Sequence, residues 1–313
     1  MRVKSESSPI GAALGHAPNA LLAKEECLER AGVVMLARQE SGGLPKPLVQ
    51  TLHVRGAMFR ATPAAHYLYE AHEARARYQN LPETIAPRTI AEAYEVQEAL
   101  CRLWAPRLGA VAGLKIATTT RVMQQLMGID HPCAGVIFAS RVHGSPAVIK
   151  KADFVNVRAE CELAIRLGRD LGQGLPYTRD SVATGVAEIM AAFELIEDRC
   201  ADYKSCRAAS LIADNAWNGG IVIGRAVPAP APLDLDGIGG TLARDGSEAG
   251  KGKTDDPLGA LAWLANLAVE RGRPLTAGMV VITGSVIATA DIAAGETLTF
   301  TLDGVGDCTL TAQ

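Results

Sequence analysis

Between residues 155 and 167 the side chains alternate. Val155, Val157, Ala159, Cys161, Leu163, Ile165 and Leu167 fall on one parity; Asn156, Arg158, Glu160, Glu162 and Arg166 fall on the other, with Ala164 the exception. Period two predicts a strand with one buried face. After Thr89-Ile90-Ala91-Glu92, which has the form of a capping box, the period becomes helical through Ala93, Val96, Leu100, Leu103 and Trp104. Residues 110–116 read as a short strand, 121–127 and 180–192 as helices, and 193–196 and 220–223 as short strands. The Pro-rich stretch 226–236 reads as a connection, and 258–269 as an apolar helix closed by a Gly272-then-Pro274 stop. Residues 280–288 and 297–302 complete the pattern as strands. Strands outnumber helices and do not alternate strictly with them, which predicts an α+β class with a β-rich mixed core. Residues 1–80 mix short apolar pieces (12–14, 32–36) with Ser/Gly/Pro punctuation at 41–45 and read as an N-terminal extension; residues 81–313 form the patterned domain.

Composition narrows the classes. A net charge of −3 without a long basic run excludes non-specific nucleic-acid binding by a basic surface. Seven cysteines, an odd count without C-x-x-C, fit a reducing cytoplasm and neither a disulfide framework nor a zinc site. No apolar run approaches the ~20 residues of a membrane-spanning helix, and no apolar leader core follows the first residues.

Side chains two apart on a strand share a face, so Glu160 and Glu162 stand roughly 7 Å apart at their roots. Like charges that close repel unless something positive intervenes. A hard divalent cation would serve; so would Arg158 and Arg166, or plain exposure to water. Glu194 lies in an apolar stretch, where a carboxylate needs a partner: a cation shared with Glu160 and Glu162, a salt bridge to Arg199, or solvent at a strand end. Lys115 is again a charge within an apolar strand, placed either at an edge with its stem snorkelling or in a site. Asp214-Asn215 and Asn218-Gly219-Gly220 read as a turn or as a pocket wall of amides. Thr283-Gly284-Ser285 reads as a bulge or as a point of close ligand approach. Gly252-Lys253-Thr254 has the tail of a phosphate-binding loop, but Ser247 stands where its first glycine belongs. That segment reads as a charged loop over a pocket.

Seven pieces in register resemble the fumarylacetoacetate hydrolase superfamily: Gly113-Leu114-Lys115-Ile116, Gln124-Gln125 with Gly128-Ile129-Asp130, Glu160-x-Glu162, Glu194-Leu195-Ile196-x-x-Arg199, Ile212-Ala213-Asp214-Asn215-Ala216, Asp256-Pro257-Leu258 with Trp263-Leu264-Ala265, and Thr283-Gly284-Ser285. Within it the chain looks most like the 2-keto-4-pentenoate hydratase and 4-oxalocrotonate decarboxylase branch, over roughly residues 85–312. The resemblance implies a catalytic domain at 81–313 that holds Mg²⁺ or Mn²⁺ through Glu160, Glu162 and Glu194 and acts on a 2-oxo acid. Lys115 would bind an enolate or move its proton, and Asn215 and Ser285 would position substrate. A cytoplasmic homo-oligomer is also implied. The reaction expected is hydration of a 2-oxo-4-enoic acid in aromatic catabolism. The alternatives are a decarboxylase or an acylpyruvate-type C–C hydrolase on the same scaffold, the latter with Asp198 or His131 as base, and a catalytically silent partner subunit. Two positions depart from the branch. Cys133 stands where an aspartate is usual, with His131 the adjacent substitute for proton transfer, and Trp217-Asn218 follows Asp-Asn-Ala.

Overall fold

The computed structural model describes residues 59–172 and 176–313. Its strands are β1 (Val111–Ala117), β2 (Cys133–Phe138), β3 (Val142–Gly144), β4 (Ala147–Ile149), β5 (Val157–Leu167), β6 (Val186–Glu197), β7 (Asn218–Ile223), β8 (Val227–Pro228), β9 (Gly239–Arg244), β10 (Ser247–Lys253), β11 (Val280–Asp291), β12 (Thr297–Leu302) and β13 (Gly306–Ala312). The helices are α1 (Ala61–Glu73), α2 (Ile90–Leu108), α3 (Arg121–Met127), α4 (Arg179–Ala183), α5 (Ala208–Ala213) and α6 (Pro257–Glu270). One mixed sheet runs β2-β1-β11-β5-β6-β7-β3, with β8 beside β6; a second runs β10-β9-β12-β13-β4.

The alternation along β5 explains how the sheets meet. Ala159, Cys161, Leu163 and Ile165 join the main core, where Phe193 of β6 and Phe300 of β12 meet at 6.2 Å between ring centroids. The opposite face is not left to water. Ala164, the exception in the pattern, packs with Ile137, Met190, Ala192, Ile221, Val280 and Ile282 in a second apolar cluster. The larger sheet is therefore lined on both faces, and the glutamates of β5 and β6 sit on the inner one, which is the face turned away from the smaller sheet. The expectation of a single buried face is corrected by this cluster.

Helix α2 starts at the predicted Thr89 N-cap, but the Glu92 carboxylate turns to the Arg88 amide and not to the Thr89 amide that closes a capping box. Thr89 Oγ1 accepts from the Glu92 amide at 3.1 Å, and Glu92 Oε2 accepts from the Arg88 amide at 2.6 Å. Its Val96, Leu100 and Trp104 bury against Ala64, Ala65 and Leu68 of α1, so residues 59–80 pack as part of this body, which begins at Phe59. The apolar pieces at 12–14 and 32–36 and the punctuation at 41–45 lie outside the described residues.

Two segments fold otherwise than the local pattern suggests. The helix expected at 180–192 ends as α4 at Ala183, and Val186–Glu197 is a single strand paired with β5 from Val157↔Glu197 to Leu167↔Val186. Ala-rich sequence favours helix only weakly, and pairing in the middle of a sheet overrides it. Residues 247–253 are strand β10 paired with β9, with Lys253 opposite Gly239, not a loop. Among the described residues no helix is long and apolar enough to cross a membrane.

Candidate active site

Lys115, Glu162 and Glu194 come from three strands of the inner face, β1, β5 and β6, and each is at most 2% exposed. Glu160 lies directly opposite Glu194 in the β5–β6 register. Glu160, Glu162 and Glu194 each offer one carboxylate oxygen within 4.8 Å of the others. The alternative partners for these charges are engaged elsewhere: Arg158 pairs with Asp291, Arg166 with Glu188, and Arg199 with Asp214. Lys115 is not at an edge, since β1 lies between β2 and β11. Its Nζ stands 3.1 Å from Glu194 Oε1.

Each carboxylate is held by one neutral donor. Thr289 Oγ1 donates to Glu160 Oε1 at 2.6 Å, the Gly284 amide to Glu162 Oε2 at 2.7 Å, and Asn218 Nδ2 to Glu194 Oε1 at 2.8 Å. Gly284 has φ +115, a left-handed conformation that suits glycine and turns its N–H inward. Glu162 Oε1 and Glu194 Oε2 remain buried with no hydrogen-bond partner, an arrangement that costs free energy unless a ligand meets them. Three carboxylates and one ammonium leave two negative charges when all are ionised. Oxygen donors, that charge and the orphaned atoms together fit a hard divalent ion.

The titration behaviour follows from burial. Glu162 is pushed well above the ordinary carboxylate value, first by burial and then by the charges of Glu194 and Glu160. Burial likewise raises Glu194, to about 7, although Lys115 pulls it back. Burial alone lowers Lys115, but Glu194 and Glu160 outweigh it and the ammonium is favoured.

The other expected residues divide. Asn215 is buried, and its side chain is spent on the edge of β2: Oδ1 accepts from the Val136 amide at 2.7 Å and Nδ2 donates to the Val136 carbonyl at 2.9 Å. It acts as a peptide would, fixing the strand that carries Gly135. That glycine is required, because a Cβ there would lie 2.6 Å from the Asn215 carbonyl and 3.1 Å from Lys115 Cγ. Ser285 is opposite Glu162 in register and exposed, with Oγ donating to the Ile287 carbonyl. His131 Nδ1 contacts the carbonyl of its neighbour Pro132 at 2.6 Å, and among the described residues it makes no hydrogen bond or ion pair with Lys115 or the glutamates. Cys133 is buried, receives a bond from Thr118 Oγ1 at 3.5 Å, and is raised by burial, so the thiol stays neutral. Thr289 went unnoticed in the sequence because a threonine in a strand is ordinary.

The family model for the fumarylacetoacetate (FAA) hydrolase C-terminal domain matches residues 130–312. The chain belongs to the fumarylacetoacetate hydrolase family. The chain is similar to a 2-hydroxyhexa-2,4-dienoate hydratase from Comamonas testosteroni, 31% identical over 78% of this chain and 94% of that protein's length. A 2-keto-4-pentenoate hydratase from Paraburkholderia xenovorans (strain LB400) is 30% identical over 78% of this chain and 91% of that protein. The fold matches the solved 4-oxalocrotonate decarboxylase from Pseudomonas putida G7, complexed with magnesium and adipate, with a TM-score of 0.74 and 22% identity over 81% of this chain and 97% of that one.

Proposed function

We propose that this chain is a divalent-metal-dependent hydratase that adds water to a 2-oxo-4-enoic acid in the breakdown of aromatic or related compounds. The observation that carries the proposal is the pair of orphaned oxygens, Glu162 Oε1 and Glu194 Oε2, in a three-glutamate cluster beside a buried lysine. The hydratase relatives, which the chain matches over nearly their whole length, support the substrate class. Glu160, Glu162 and Glu194 would hold Mg²⁺ or Mn²⁺. Bound there, the ion supplies Lewis-acid stabilisation of charge on the oxygens of a 2-oxo acid.

The chain's own residues do the rest. Gly284, Asn218 and Thr289 hold the carboxylates in place from outside the cluster. Lys115 is a charged group walled from water, able to hold or release a proton at Nζ and to face developing negative charge. Ser285, exposed beside Glu162, would position substrate, and Asn215 would act through the backbone it fixes. The C–C hydrolase reading needs a base for water. Asp198 is a poor one, since its carboxylate already accepts from Asn156 Nδ2, the Cys200 amide and the Tyr203 hydroxyl. A cytoplasmic homo-oligomer belongs to the same proposal.

The test is deuterium exchange at C3 across a panel of 2-oxo acids, with and without Mg²⁺, followed by product analysis. Exchange that requires Mg²⁺ and is lost together with metal uptake in Glu160→Gln is expected. Full exchange in metal-stripped Glu160→Gln would overturn the reading.

A further inference from the structure

The carboxylate cluster opens toward β11. Lys115, Glu162 and Glu194 are at most 2% exposed, whereas Glu160 and Thr289 are half-buried and Ser285 is exposed. The turn that follows β1, residues 118–120, borders the same opening. A Cβ built on Gly284 would lie 3.4 Å from Thr119 Cγ2 and 3.7 Å from Thr119 Oγ1, and Gly284 is the residue whose amide holds Glu162.

This turn is strained and pinned. Thr118 has φ +53, a left-handed position that a β-branched residue rarely takes and that persists only where its surroundings impose it. Thr118 Oγ1 bonds to the Ala117 carbonyl at 2.7 Å and to Cys133 Sγ at 3.5 Å. From α3, Gln124 Nε2 donates to the Thr118 carbonyl at 3.0 Å and to the Thr119 carbonyl at 3.4 Å. The pinning leaves the Thr119 side chain over. It is exposed and lies against Gly284, and its hydroxyl makes no hydrogen bond among the described residues.

Ser285, also an exposed hydroxyl at this opening, is not equivalent. Its proton goes to the Ile287 carbonyl at 2.6 Å, so toward a ligand it accepts. A carboxylate offers only acceptors and needs a donor. With a divalent ion bound, the charges of the three glutamates, Lys115 and the ion cancel. The rim therefore contributes a directed donor rather than net charge to holding an anionic substrate.

We propose that Thr119 Oγ1 donates a hydrogen bond to the carboxylate of the 2-oxo acid, presented by the strained Thr118 turn that Gln124 braces. The proposal rests on the reading of the cluster as a 2-oxo acid site. Ser285 is left to accept from a substrate hydroxyl or a water.

Calorimetric titration of pyruvate into the full-chain, Mg²⁺-loaded protein tests this without turnover, so hydratase activity need not be assumed. Thr119→Val should weaken pyruvate binding about tenfold or more, the loss expected for a hydrogen bond to a charged group. Thr119→Ser, which keeps the hydroxyl, should restore the parent's affinity. Mg²⁺ affinity, measured separately, should be the same in all three proteins, and thermal unfolding should show all three folded. Unchanged pyruvate affinity in Thr119→Val, failure of Thr119→Ser to restore it, or a parallel loss of Mg²⁺ affinity would overturn the assignment of Thr119 alone. Absence of Mg²⁺-dependent pyruvate binding to the parent would remove the 2-oxo acid reading and the proposal with it.

Discussion

Glu162 is a carboxylate with no exposure to solvent, one amide donor and one bare oxygen. Removal of Lys115 sharpens its predicament, because the ammonium is the cluster's internal cation. Lys115→Met should therefore bind Mn²⁺ more tightly than the parent while C3 exchange falls on the order of 10²-fold or more; metal titration and exchange kinetics read the two effects separately. The pH dependence has a definite sign. Glu194 moves from 4.5 to about 7 on folding, so the folded state binds its proton more tightly than the unfolded chain does. Stability of the metal-free protein should fall as pH rises from 4.5 to about 7, and Glu162 adds to the same trend. Saturating Mg²⁺ should flatten that slope in denaturant titrations at a series of pH values.

Among the elements, the turn between α5 and β7 is the most constrained. Asn215, Ala216 and Trp217 have φ of 53, 46 and 57, left-handed positions that cost L-residues roughly 1–2 kcal/mol each. Tertiary contacts hold them there. Asn215 pairs with Val136, and the Trp217 ring is met edge-on by Tyr78 and Tyr203 at 5.1 and 5.2 Å. Asn215→Ala would leave the Val136 amide and carbonyl unmet and should destabilise by roughly 2–4 kcal/mol, read as a lower urea midpoint. Because Gly135 sits against this turn and Lys115, activity should drop in the same variant under conditions where it remains folded. Strand β6 teaches the same lesson on a longer segment. Its alanines suggested a helix, and its place between β5 and β7 decided otherwise.

At the scale of the body formed by the described residues from Phe59 onward, two sheets share a core, with the site on the face of the larger sheet turned away from the smaller. Phe193 and Phe300 bridge the sheets. Phe193→Ala should cost about 3–5 kcal/mol in equilibrium unfolding. The same strand carries Glu194, so metal affinity should weaken with it, whereas a surface substitution such as Lys251→Ala on β10 should leave both unchanged.

Local chemistry made much of this legible in advance. Period two along β5, the Thr89 cap, the spacing of Glu160 and Glu162 and the isolated charges of Lys115 and Glu194 are short-range facts, and the chain states them directly. Which charges meet is a long-range fact. From the sequence, Arg158 and Arg166 were claimants to Glu160 and Glu162, and Arg199 to Glu194; strand register gave Arg158 to Asp291 and Arg166 to Glu188, and the turn after β6, packed on the end of α5, gave Arg199 to Asp214. The covered inner face, the inward Gly284 amide and the commitment of Asn215 to Val136 arise only when segments more than a hundred residues apart, or some eighty apart, close on one another. Sequence fixes which groups are available, because residue type and periodicity are local; the tertiary structure decides which of them are deprived of water and partners, because desolvation belongs to the packed molecule alone.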